Sequence, residues 1–160
     1  MGHWPSGAGG VWIKAEASLV LQSSIVARNR TGDYYGLYCD LIARGGVTGA
    51  NNLVIIAGDT TVLPLDTIAL DPMLGPLADN GGPTPTALLY RASPALDAGA
   101  NPAAFADDQR GPGFDRVIGA AADIGALELQ DSESELLFRD TFEPVKGLVD
   151  FCPFSDAEDS

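Results

Sequence analysis

Two acidic runs beside arginine are the stretches of this chain most suited to acid–base work: Asp107-Asp108 with Arg110, and Asp115 with Arg116. Paired carboxylates near a cation can be tuned as acid and base, as in glycoside cleavage. The same residues also fit a plainer role. Asp107 and Asp108 open a turn before Gly111 and Pro112, and Arg110 would pin that turn through a carboxylate or carbonyl. The turn outweighs catalysis, because such ion pairs are more often structural, and no residue is assigned a catalytic role. Asp107, Asp108 and Asp115 are the candidate calcium ligands, although "ADDQRGPGFD" has neither EF-hand spacing nor a Gly-Asp nonapeptide repeat. The single histidine, His3, sits in a Gly- and Pro-rich start that offers no fixed scaffold, so no Ser-His-Asp or Cys-His set can be assembled.

Other residues suit binding or stapling. Tyr34 and Tyr35 in "TGDYYG" are candidates for stacking on a carbohydrate, whereas Trp12 is expected to fill the core. Asn29, Asn51 and Asn52 fall at strand-to-turn corners and are expected to bond neighbouring backbone. The two cysteines, Cys39 and Cys152, lack CxxC spacing and are too few for a Cys/His metal site. A Cys39–Cys152 disulfide would suit an oxidising compartment.

The elements that must hold these residues are short. Of 160 residues, 19 are Gly and 11 are Pro, a frequency of punctuation that favours many brief strands. The net charge of −13 argues against nucleic acid as a partner. No apolar run is long enough for a spanning helix, and the start has no basic region leading into an apolar one, so no signal peptide is read. Residues 131–160 hold nine of the acids and two of the bases, which sets them apart as an acidic tail.

"GVWIK", "SLVLQ" and "SSIVARN" follow one another closely, and "YGLYCDLI" and "NNLVIIAG" come after a Gly-rich separator, "ARGGVTGA". Val11–Ile13 and Leu37-Tyr38 lie about one repeat apart, as do Ile25-Val26 and Leu53-Val54. That interval predicts a β-helix with three strands per coil; an ordinary β-sandwich fits the same strands. "TTVLPLDTIAL" has room for one more strand, and two closing strands are expected at Arg116–Ile118 and Asp123–Leu129. Between them, the Pro-rich, apolar "DPMLGPLADNGGPTPTALLYRASPALDAG" reads as an irregular wrap over the open end of the stack.

This last segment, continued by "DQRG" and "AADIGALE", resembles the C-terminal region of the choice-of-anchor Q domain proteins. "LVLQSSIVARN" is similar to that family's last regular coil and "GANNLVI" to the one after it. The resemblance covers about residues 10–130. It implies a secreted or surface protein on a right-handed parallel β-helix of the pectin-lyase-like class, with no shared reaction to carry over. "LLFRDTFEP" is similar to a short LF-x-DGFE signature near the C-termini of secreted proteobacterial proteins, with Thr141 in place of Gly.

The expectation is an all-β chain: a disordered start (1–9), right-handed β-helix coils (10–59), an irregular cap (60–130) and a poorly ordered acidic tail (131–160). Its expected function is non-enzymatic: a structural or adhesive extracellular piece, continuous with upstream coils, whose partner is a surface glycan or a protein. The end of a β-helix polysaccharide lyase or hydrolase is one alternative, and a small β-rich carbohydrate- or protein-binding module is another. No cofactor is expected apart from the calcium candidates. Two coils bury little core, so marginal stability is expected for the chain alone.

Overall fold

The computed structural model describes residues 9–30 and 39–133. These residues form an all-β structure of eight short strands with no helix: β1 (Val11–Ile13), β2 (Ser18–Gln22), β3 (Ile25–Val26), β4 (Leu41–Ala43), β5 (Gly46–Ala50), β6 (Leu53–Val54), β7 (Leu74–Ala78) and β8 (Thr86–Leu89).

The first six strands form two successive triplets. β1 pairs with β4, β2 with β5 and β3 with β6, always parallel and in the same order. Val11 faces Leu41, Leu19 faces Val47 and Ile25 faces Leu53. The chain then passes the second triplet's edge again, in a shorter round. Ala57 bridges Leu41 and Ile68 bridges Leu53, both parallel. The round is shorter in sequence: two residues separate Val54 from Ala57, whereas 14 separate Val26 from Leu41.

Alternation of side chains across each strand gives the stack two apolar layers. Leu41, Ala43 and Val54 point inward and meet Val11, Ile13, Leu19, Leu21, Val26 and Val47. Leu53 points outward from the same strand as Val54 and meets Leu89, Ala95 and Ile124 of the later chain, with Ile25 and Ile68 beside them. β6 is thus buried on both faces. Ile42 points outward from β4 and packs with Cys39 and Ile56.

Several expectations are corrected here. β1 pairs with Leu41–Ala43, not with Leu37-Tyr38, which lie outside the described residues. The Gly-rich separator contains a strand, β5. Its Gly49 has φ +113, and a Cβ there would collide with the Leu21 carbonyl of β2. Trp12 is 47% exposed and not a core residue, because its neighbours Val11 and Ile13 take the inward positions. "TTVLPLDTIAL" forms a single bridge and not a strand. The Pro-rich segment holds an antiparallel pair, β7 and β8, with a register shift between Leu74 and Leu77 around Pro76. It lies on the outward flank of β3 and β6, while residues 56–68 run along the stack's edge. The closing strands at 116–118 and 123–129 do not form, for a reason the site makes clear.

Asp40, just before β4, joins the first triplet's end to the residues after β6. It is 1% exposed. One carboxylate oxygen accepts the Asn29 N–H at 2.8 Å and the other accepts the Ile56 N–H at 3.0 Å. Replacing Asp40 with Ala would strand both donors, each at a cost of about 1–3 kcal/mol. Chemical denaturation of Asp40→Ala is predicted to show a loss of roughly 2–4 kcal/mol, and Asp40→Asn a smaller one.

Candidate functional site

The charged residues of the chain's second half converge between Asp97 and Glu133. Asp108 and Arg110 have fully buried side chains joined by a 2.7 Å ion pair. The Asp108 N–H reaches the Phe114 carbonyl at 2.8 Å, and the Gly111 N–H reaches the Asp108 carbonyl at 3.0 Å, closing the turn expected from Gly111 and Pro112. Arg110 lies over the Phe114 ring at 4.0 Å and donates to the Glu128 carbonyl at 2.7 Å. It also contacts the Glu133 carboxylate. The Asp108 carboxylate, besides binding the guanidinium, accepts the N–H groups of Arg110 (2.7 Å) and Glu128 (3.0 Å).

A second pair is built around Arg116. Its partner is not the adjacent Asp115, which is exposed, but Glu128 at 3.1 Å. The guanidinium also donates to the carbonyls of Asp123 (3.1 Å) and Gly125 (2.9 Å). Glu128 is 1% exposed and accepts the N–H groups of Ile118 (3.0 Å) and Asp123 (2.8 Å). Asp123 in turn accepts those of Asp97 and Leu129, each at 2.9 Å. These bonds explain the missing closing strands: the amides of Ile118, Asp123, Glu128 and Leu129 donate to buried carboxylates and not to a neighbouring strand.

Burial raises the Glu128 and Asp123 carboxyls above the ordinary carboxylate range. The backbone N–H groups and Arg116 oppose that rise without cancelling it, and the charges of Asp97 and Asp123 add to it. Burial alone would lower Arg110, but the hydrogen bonds and charges of Asp108 and Glu133 outweigh it and raise its pKa.

Asp123 and Glu128, with Asp97, Arg91 and Gln130, line a hollow of about 220 Å³. Two raised carboxyls in a hollow are the arrangement that acid–base chemistry uses. Here all four oxygens of the pair already accept an N–H from the protein, so the geometry is that of a fastening. A larger groove of about 470 Å³ runs between Ser23–Ile25, β8 and Ile124–Leu127 and is mostly apolar. Its Ser23 hydroxyl donates to the Ala100 carbonyl at 3.1 Å and accepts that residue's N–H at 2.8 Å.

Among the calcium candidates, Asp107 and Asp115 meet across a backbone bridge, while Asp108 is committed to Arg110. Among the described residues, no group of three or more His, Cys, Asp or Glu is placed to hold a metal. The corner asparagines bond backbone carbonyls, a neighbouring one only at Asn29 and distant ones at Asn51 and Asn52. Asn29 donates to the Ala27 carbonyl, Asn51 (φ 56) to that of Ala98, and Asn52 to that of Leu21. His3, Tyr34, Tyr35, Tyr38 and Cys152 lie outside the described residues. Asp40, Asp123 and Glu128 escaped the sequence reading. Their one signal was an acid set among small or apolar residues, in "CDLI", "ADIG" and "ALEL".

No described helix could cross a membrane. Comparison with protein-family models, with curated proteins and with solved structures gives no match.

Removing Glu128 would leave the Arg116 charge buried and unpaired, so Glu128→Ala is predicted to cost about 3–5 kcal/mol in denaturant unfolding. A carboxyl raised in the folded state favours folding fully at pH below its unfolded value, and that contribution is lost as pH rises through the folded value. The unfolding midpoint should therefore fall as pH rises above the ordinary carboxylate range, and Glu128→Gln should flatten that fall at constant ionic strength.

Proposed function

We propose that this chain forms the C-terminal end of a right-handed parallel β-helix, of the kind its sequence resembles in the choice-of-anchor Q domain proteins. It acts outside the cell or on its surface as a non-enzymatic structural or adhesive piece. The observation that carries this reading is the run of three parallel pairs in constant order, followed by a shorter round along the same edges. A β-sandwich of the same strands would be mostly antiparallel.

The stack continues upstream in this reading. Among the described residues, β1, β2 and β3 each pair on one edge only. Val11, Ile25 and Val26 are half-buried, while their register partners Leu41, Leu53 and Val54 are at most 1% exposed. A preceding coil would pair the open edges and cover the first triplet. Binding of a surface glycan or a protein then falls to coils beyond the cap. An end piece of a polysaccharide lyase or hydrolase is supported only by the hollow beside Asp123 and Glu128, whose oxygens are already engaged.

An antibody against the described cap, used on fractionated native cells, tests the reading. The expected result is a band well above 16.6 kDa in the envelope or medium. A band of that mass confined to the cytosol would overturn it.

A further inference from the structure

We infer that Asn80-Gly81, in the turn between β7 and β8, is a self-modifying site that converts Asn80 to aspartate and isoaspartate through a cyclic imide. The stretch "ADNGGPT" puts a side-chain amide one residue before a backbone nitrogen that has no Cβ to block its approach. The other described asparagines precede Arg30, Asn52, Leu53 and Pro102. Packing keeps the glycine in place. Gly81 has φ +89, and a Cβ there would meet the Phe114 ring that lies against Arg110.

The groups around the pair suit ring closure. The Gly81 N–H, whose proton must leave, donates to the Asp79 carboxylate at 3.1 Å. The Asn80 Nδ2, which must depart, lies 2.8 Å from the Thr86 carbonyl and 3.1 Å from the Thr86 hydroxyl. That carbonyl needs a donor, which fixes the nitrogen on this side of the amide. Arg110 holds the Asn80 backbone carbonyl at 3.4 Å. Asp79 takes the Gly81 proton as general base, and the nitrogen attacks Asn80 Cγ. The Cγ–Nδ2 bond breaks, and the Thr86 hydroxyl turns to protonate the departing nitrogen. The proton on Asp79 returns to Thr86 through water. A water molecule then opens the imide at either carbonyl, so amide and water become carboxylic acid and ammonia. The product cannot donate to Thr86. A carboxylate faces that carbonyl, and isoaspartate adds a backbone methylene beside a pair whose register is already shifted. The change therefore loosens β7 and β8, wherever the protein acts.

The test incubates the full chain at neutral pH, folded and in denaturant, and locates the change by fragmenting the tryptic peptide 45–91. Asn80 should gain the mass difference between –OH and –NH2, at least about tenfold faster than Asn29, Asn51, Asn52 or Asn101 in the folded chain. It should react no more slowly folded than in denaturant. Asp79→Ala should slow the folded chain by at least about tenfold and leave the denatured rate nearly unchanged; a variant that only loosened the turn would not be slower. Asn80→Asp should unfold at a lower temperature than the unaltered chain. An Asn80 that stays intact when folded while converting in denaturant would overturn the inference. So would an unchanged folded rate in Asp79→Ala.

Discussion

Four buried carboxylates do the work that neighbouring strands would otherwise do. Asp40, Asp108, Asp123 and Glu128 each accept two backbone N–H groups from other residues. A buried amide without an acceptor is costly, and an irregular segment has no ladder to supply one. An ionised carboxylate offers two oxygens and several lone pairs, so one side chain can satisfy donors that no strand geometry reaches. The charge must itself be tolerated, and two of the four are matched by arginines, Arg110 on Asp108 and Arg116 on Glu128. The cap keeps its Pro- and Gly-rich path because of this arrangement.

The consequences run back into the stack. Ile124, held between Asp123 and Gly125, meets Leu53, the outward residue of a strand whose other side chain, Val54, is in the inner layer. The Gly125 N–H donates to the Ser23 carbonyl at 2.9 Å. The later segment is therefore continuous with the first and second triplets, and fold stability does not divide cleanly between the paired strands and the residues that follow them. The acidic oxygens of Asp108, Asp123 and Glu128 are all engaged by groups of the chain itself.

How much of this was legible follows from particular residues. β1, β2, β3 and β6 could be read because aliphatic and aromatic residues mark them. β5 could not, since "GVTGA" is chosen for close approach to β2 and looks like a loop. β7 was hidden by Pro76, which is tolerated only through a register shift. The closing segments show alternation that suits strands, yet their amides had a stronger acceptor nearby. No local pattern reveals that Glu128 reaches the Ile118 amide, because that contact exists only once the cap has wound. Asp107, Asp108 and Arg110 were legible as a turn with an arginine pin, whereas the pairing of Arg116 with Glu128 in preference to Asp115 was not.

Native-state hydrogen exchange, resolved by residue, tests the central claim most directly. Slow exchange is predicted at the amides of Asn29, Ile56, Asp97, Arg110, Ile118, Asp123, Glu128 and Leu129, although all of them lie outside any strand. In Glu128→Ala, protection should fall first at Ile118 and Asp123 while Asn29 and Ile56 keep theirs. Fast exchange at these amides in the unaltered protein, or unchanged protection of Ile118 and Asp123 in the variant, would contradict the account.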